Sequence, residues 1–403
     1  MCEVEVITVN KGTDIRFNMT FGNRLILNLI EGGAVLYGYK MNLDTPYYFE
    51  NEPFSLSVVE GCKLKISGNY ISYYRSEIYI PESAINMDSN KTKRSTIIVA
   101  GSSNSGRTSL IKWMINLSHL YGMNTNFVNL DPSQPLFSPT GCIGMTKVSE
   151  QIDNAGFPMV DPLLFFYGHL ELEESRMELY TSQVEQIHNV INEMAEKDPE
   201  QWNSTIIDVP SSKNQINVAA LKSTIQIFKP TEVIVLGDES LYKILSRQFI
   251  ETKFTKMPSL PGAIALDKSV KEAVRNSYIG RYFYGNPIRP LTPIVRTYIK
   301  QEFKVQSIGT LNYISSAMLP IFSQAQSPKH TNFVGIVSMI KNSLIALLPK
   351  AEPDTTWSKN ILGFYVVISL NEAEGTLEVL CPNDMPIENT TFITGSVKYI
   401  KEI

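Results

Sequence analysis

Eight residues, Gly101-Ser102-Ser103-Asn104-Ser105-Gly106-Arg107-Thr108, have the spacing of a phosphate-binding loop, G-x-x-x-x-G-K-[ST], with arginine in the lysine position. The two glycines allow a tight turn that aims successive backbone N–H groups at phosphate oxygens. A helix opening behind them adds the positive end of its dipole, and the Thr108 hydroxyl is a suitable Mg²⁺ ligand. Ser103, Asn104, Ser105, Gly106, Arg107, Thr108 and Ser109 are therefore the candidate nucleotide contacts. A Gly/Ser turn that only caps a helix is the alternative. Binding and catalysis separate at Arg107. The N–H groups do not depend on that side chain, whereas phosphoryl transfer depends on a well-placed cation. A long planar guanidinium is not the equivalent of a compact ammonium. The loop reads as one that holds a nucleotide without efficient turnover.

Two carboxylates accompany the loop. Asp131 closes VNLD and Asp208 closes STIID, both at the C-terminal edge of apolar runs, where α/β ligand sites form. Asp131 can order Mg²⁺ or accept a proton from an attacking hydroxyl, and Asp208 suits a water-mediated Mg²⁺ contact. Thr108, Asp131 and Asp208 thus form the expected metal set, although each carboxylate alone reads equally well as a turn residue or N-cap. Gln134 follows on the same segment. The guanine-reading N-K-x-D signature is missing where a switch-type GTPase would carry it. No Cys/His cluster or Ser–His–Asp arrangement stands out among four histidines, of which His119 and His188 fall in helical patterns.

Elements must position these groups. Residues 1–80 alternate at period two in short runs (EVEVITV, DIRFNMTF, RLILNLI, AVLYGYKM, FSLSVV, CKLKISG, YISYY) broken by Gly, Asn and Pro, which predicts an N-terminal β-sandwich. Residues 81–95 are polar and aperiodic, as a linker is. Over 96–286 the pattern becomes strand–helix alternation: STIIVAG, the helical SLIKWMINLSHLYG, NTNFVNLD, STIIDVP and TEVIVLGD. Continuous β-branched runs between helices predict an α/β domain, a parallel sheet with helices on both faces. Residues 287–403, with FVGIVSMI, ILGFYVVISL and TLEVLCP, predict a small C-terminal α+β domain.

The bulk properties bound the function. A chain of 403 residues implies two or three domains. Net charge −4 excludes a chain that is basic throughout, so any nucleic-acid contact is local or made through partners. Four scattered cysteines with no C-x-x-C pair suit reduced thiols and argue against structural zinc. Neither a secretory leader nor a membrane-length apolar run is visible, which predicts a soluble intracellular chain with no membrane partner.

Several segments, in order along the chain, carry a family resemblance: KGTDIRF, GGAVLYGYKM, GSSNSGRTS, VNLDPSQPLFSPTGCIG, IIDVPSS, YIGRYFYG followed by NPIRPLTP, and ILGFYVVISLN. The chain resembles the eukaryotic polynucleotide 5′-hydroxyl-kinase (CLP) family, and within it the fungal branch that supplies the ATP-binding subunit of pre-mRNA cleavage factor IA. The resemblance implies three domains, with ATP held between the first two. Asp14 matches a nucleotide contact of the sandwich, while Pro53 falls where relatives carry a second base contact, a lysine. Active members transfer the γ-phosphate of ATP to an RNA 5′-hydroxyl, using the loop lysine, the aspartate matching Asp131, an aromatic clasp and two lid arginines. Here the lysine is Arg107 and the clasp position offers Ser211 and Ser212. Arg275 matches one lid arginine, and the other position is Gly280 with Arg281 displaced by one. A one-residue shift on a helix turns a side chain by roughly 100°. The resemblance therefore implies a non-catalytic, nuclear ATP-binding scaffold in mRNA 3′-end processing; a working RNA 5′-kinase is the alternative, as is an interaction protein with a decayed site. Implied partners are the scaffold subunit of cleavage factor IA that binds the RNA polymerase II tail and other cleavage and polyadenylation subunits, with RNA reached through them.

Overall fold

Period-two alternation does build the first seven strands. The computed structural model of the chain describes residues 4–19, 22–77, 94–152, 156–157, 162–198, 204–261, 263, 265–286, 289–299, 305–308, 341–350, 359–371, 373–383 and 390–400. The strands are β1 (Val4–Val9), β2 (Thr13–Asn18), β3 (Arg24–Leu36), β4 (Tyr39–Lys40), β5 (Pro46–Glu50), β6 (Phe54–Gly68) and β7 (Ser72–Glu77). They form one antiparallel sheet ordered β4-β3-β6-β2-β7, with β1 on β6 and β5 on β3. Its alternate side chains, among them Ile15, Phe17, Leu27, Leu56 and Leu64, close on a shared core.

Two of these strands are longer than the sequence pattern predicts. RLILNLI and AVL lie on one strand, β3, and FSLSVV and CKLKISG on another, β6. Gly32 and Gly61 mark a bend, not a turn. The β3–β6 register shifts around Glu31 and Gly33, and a Cβ at Gly32 (φ +86°) would stand 1.9 Å from the Gly61 carbonyl oxygen. Glycine here permits two long paired strands to approach closely at a bulge.

The central elements are β8 (Ser95–Gly101), α1 (Arg107–Leu120), β9 (Thr125–Asn129), β10 (Cys142–Val148), β11 (Leu163–Phe166), α2 (Met177–Lys197), β12 (Ser204–Asp208), α3 (Gln215–Phe228), β13 (Glu232–Leu236), α4 (Glu239–Gln248), β14 (Lys253–Met257) and α5 (Lys268–Tyr284). The strand order is β11-β10-β9-β12-β8-β13-β14. β8 lies parallel to β12 on one side and to β13 on the other, with β14 parallel beyond. The β10–β11 pair is antiparallel, which makes the sheet mixed where the sequence pattern suggests a parallel one. Nothing in the apolar runs CIGMTKV and LLFF encodes strand direction.

Six further strands follow: β15 (Ile294–Ile299), β16 (Val305–Ser307), β17 (Ser343–Pro349), β18 (Gly363–Asn371), β19 (Thr376–Cys381) and β20 (Thr390–Lys398). They are ordered β15-β19-β18-β17-β20-β16, and Ile345, Val367, Val379 and Phe392 pack on one face. FVGIVSMI and residues 81–93 of the expected linker lie outside the described residues.

The chain divides into two compact units. The first comprises Met1–Val128, Thr146–Asp161 and Ile191–Val274; the second comprises Asn129–Met145, Pro162–Val190 and Arg275–Ile403. Among the described residues, no helix is long and apolar enough to cross a membrane.

Candidate nucleotide site

In the first unit, β8 delivers the loop. Ile98, Val99 and Ala100 are buried and fix the strand, so the chain leaves the sheet edge at Gly101. Asn104 (φ +57°) and Gly106 (φ +91°) take left-handed conformations that fold the loop back before α1 begins at Arg107. Gly106 is the N-cap and supplies no side-chain acceptor, and the first turn carries no acidic residue. By contrast, Asn214 caps α3 and Asp238 caps α4 through side-chain oxygens. The start of α1 thus lacks the side-chain cap that α3 and α4 have, and its positive end favours an anion.

The loop is braced from several sides. Ser105 Oγ donates to the Ser102 carbonyl at 2.9 Å. Ser103 Oγ donates to Ser211 Oγ at 2.9 Å, and Ser212 N–H reaches the Gly101 carbonyl at 3.0 Å. Ser212 Oγ in turn donates to Asp238 at 2.6 Å. The two serines in the aromatic-clasp position therefore hold the loop itself. Leu260 N–H donates to the Ser105 carbonyl at 2.9 Å, and a Cβ at Gly106 would meet the Leu260 side chain at 2.7 Å.

Arg107 is turned onto Asp208. Its Nη1 lies 2.9 Å from Asp208 Oδ1 and also donates to the Val209 carbonyl. The side chains are 8% and 0% exposed, so the pair is buried. Desolvating two charges is costly, and charge-assisted hydrogen bonds offset that cost. Of the expected metal set, Asp208 is thus joined to the loop arginine. Among the described residues no three His, Cys, Asp or Glu side chains are grouped as metal ligands.

Ser109 stands at the junction of the sandwich with α1. Tyr37, in the left-handed region at φ +48°, shares a hydrogen bond with Ser109, and burial raises its hydroxyl pKa. Lys112 Nζ lies 4.8 Å from the Tyr37 ring centroid. Asn116, fully buried, donates to the carbonyls of Tyr37 at 2.8 Å and Ile152 at 2.9 Å. Its own oxygen accepts from Ile152 N–H at 2.6 Å. A Cβ on Gly38 would press on Trp113 at 3.0 Å. In the sequence this junction shows only as the Tyr-Gly step within GGAVLYGYKM, and none of Tyr37, Lys112 or Asn116 was an expected contact.

Asp14 lies on β2 beside Ser57 of β6, whose hydroxyl donates to Asp14 Oδ1 at 2.5 Å. Arg16 Nη2 is 3.7 Å from Asp14 Oδ2, and its guanidinium lies 5.8 Å from the centroid of the Tyr74 ring. Neither Arg16 nor Ser57 is among the contacts expected from the sequence. In TDIRFN, alternation puts Asp14 and Arg16 on one face, opposite the core-facing Ile15 and Phe17.

The second unit holds Asp131, two residues past β9 rather than at its end. Its Oδ1 accepts from Ser133 N–H at 3.0 Å and Ser133 Oγ at 2.7 Å, an Asx-type turn. The Gln134 N–H donates to the Asp131 carbonyl at 3.1 Å. Arg275 Nε donates to the Ser133 carbonyl at 3.1 Å, so the residue matching a lid arginine and the candidate base share one turn. Arg281 stacks on Tyr278, 4.9 Å from the ring centroid. Gly280 faces the Tyr399 ring at van der Waals distance.

Comparison with known proteins is consistent across the chain. Residues 8–90 match the N-terminal β-sandwich domain of polyadenylation factor. Residues 101–285 match the mRNA cleavage and polyadenylation factor CLP1 P-loop, and 291–401 match pre-mRNA cleavage complex II protein Clp1. The mRNA cleavage and polyadenylation factor CLP1 of Saccharomyces cerevisiae is 22% identical over 98% of this chain and 94% of its own. The CLP1 homologue of Arabidopsis thaliana is 26% identical over 78% of this chain and 72% of its own. The fold is that of Clp1p in its wild-type complex with Pcf11p, with a TM-score of 0.87 over 99% of both chains at 22% identity.

Proposed function

The chain belongs to the Clp1 family of mRNA cleavage and polyadenylation factors, and on that premise we propose that it is a nuclear, ATP-binding, non-catalytic subunit of the pre-mRNA 3′-end cleavage machinery. The observation that carries this reading is the loop of the first unit. Its N–H groups and uncapped helix start suit a phosphate chain, while its one basic side chain is drawn onto Asp208. Such a loop supplies backbone recognition, which binds ground and transition states alike, but no cation free to follow a transferring phosphoryl group. The clasp position points the same way, because Ser211 and Ser212 bond to the loop and offer no aromatic face to an RNA base.

A related structure of the Pcf11p–Clp1p interface describes ATP loss in a point mutant of that protein. By analogy, ATP here ties the sandwich to the phosphate loop, and the partner is a Pcf11-like scaffold subunit that binds the RNA polymerase II tail and brings the other processing subunits. The test is to denature the purified protein and identify what is released. Intact ATP, near one per chain, with no transfer of γ-label to a 5′-hydroxyl RNA, is the expected outcome. Label transfer that is lost in Asp131→Ala would replace this reading with a working kinase.

A further inference from the structure

We infer that this site binds its nucleotide without a divalent cation, Arg107 doing electrostatically what Mg²⁺ does in relatives with a loop lysine. The inference rests on the proposed nucleotide site and deepens it. A magnesium ion at such a loop requires a hydroxyl from the loop, oxygens from the nucleotide, and a carboxylate at the end of the neighbouring strand to hold its water shell. Thr108 supplies the hydroxyl. The carboxylate is Asp208, the last residue of β12, whose register with β8 is parallel and unbroken from Ser204 to Asp208.

That carboxylate is engaged by a cation of the chain's own. The Arg107 guanidinium lies 2.9 Å from Asp208 Oδ1 with both side chains buried, and the Val209 carbonyl fixes its orientation. A divalent ion coordinated by water on Asp208 would have to displace the guanidinium or sit against its positive charge. Neither is favourable in a buried setting, where like charges are poorly screened. Asp131 gives no substitute cluster: its Oδ1 accepts two hydrogen bonds from Ser133, and no metal-ligand group of three exists among the described residues. The donor set therefore does not fit Mg²⁺.

The donor set does fit a metal-free polyphosphate. Arginine stays protonated at every physiological pH and presents five N–H donors in a rigid fork, so one guanidinium can neutralise a carboxylate and still donate to a phosphate oxygen. The loop N–H groups supply the remaining recognition. Lysine, with one nitrogen and a flexible stem, leaves the carboxylate available to a hydrated metal and follows the phosphate instead. The lysine-to-arginine exchange is thus a change of counter-ion as well as a loss of catalytic power.

The experiment is calorimetric titration of the nucleotide-free full-length protein with ATP, once in excess EDTA and once in millimolar Mg²⁺. The dissociation constants are expected to agree to within about threefold, well below the tenfold that corresponds to one strong interaction. Binding that is about tenfold or more tighter with Mg²⁺ would overturn the inference and leave the ATP-binding reading intact. Binding in neither buffer would sink both. Arg107→Lys, titrated in the same way, is expected to make affinity Mg²⁺-dependent; Mg²⁺-independence in that variant would show that the arginine is not the counter-ion.

Discussion

Arg107 and His169 show how differently single residues declare themselves. The phosphate loop was legible from Gly101 to Thr108 because two glycines, a preceding apolar run and a following helical pattern agree with one another. Which acceptor Arg107 takes was not legible, since Asp208 lies far along the chain and only β12–β8 pairing brings the two together. His169 left no signal at all. It is half-buried after β11, with Nε2 2.6 Å from the Ile308 carbonyl, so that nitrogen must carry the proton and donate. Burial lowers its pKa, the nearby Arg176 adds to this, and the hydrogen bond to Ile308 opposes it. The unfolded chain therefore binds a proton more readily than the folded one. Stability should be flat above the ordinary imidazole value of about 6.5 and fall as the pH drops below it. Denaturant melts between pH 7.5 and 5 should show this loss, and His169→Gln should remove part of the slope; an unchanged slope would assign the effect elsewhere.

At the scale of elements, strand and helix types followed from periodicity, whereas glycine misled. Gly32 and Gly61 read as turns, yet they lie inside the 13-residue β3 and the 15-residue β6, because close approach of two paired strands and a reversal both favour glycine. The same ambiguity hid the junction between the sandwich and α1. Asn116 reads as a polar residue on an ordinary helix face, but its amide joins Tyr37 of the sandwich to Ile152 through three hydrogen bonds. Removing it strands two carbonyls and an N–H in the interior, each costing about 1–3 kcal/mol. Asn116→Ala should therefore lower the stability of the first unit by a few kcal/mol, to order of magnitude, and make Tyr37–Met41 cleavable by protease before the strands of the sheet. A melt within error of the parent would mean that water replaces the amide.

Over the whole molecule, the order of architectures was readable because composition and period change twice along the chain. The division into units was not. The first unit is assembled from three separate stretches, ending at Val128, Asp161 and Val274, and places the sandwich with the phosphate loop. A ligand on the loop should therefore stabilise the sandwich as well. ATP at about a hundred times its dissociation constant should add ~2.7 kcal/mol to the unfolding of that unit. The sandwich should melt with it in one calorimetric transition. A sandwich transition indifferent to ATP would refute the coupling.

The placement of β8 also bears on how the chain comes into being. The sandwich finds all its strand partners within residues 4–77, so it can close early. Ile98, on an interior strand of the mixed sheet, waits for Ile207 on one side and Val233 on the other. At about 5–20 residues per second, translation leaves β8 unpaired for on the order of ten seconds. STIIVAG is β-branched and uncharged, with the makings of a segment that pairs with whatever edge it meets first. The placement that buries β8 between two later strands thus gives the nascent chain an apolar segment that needs shielding until those strands emerge.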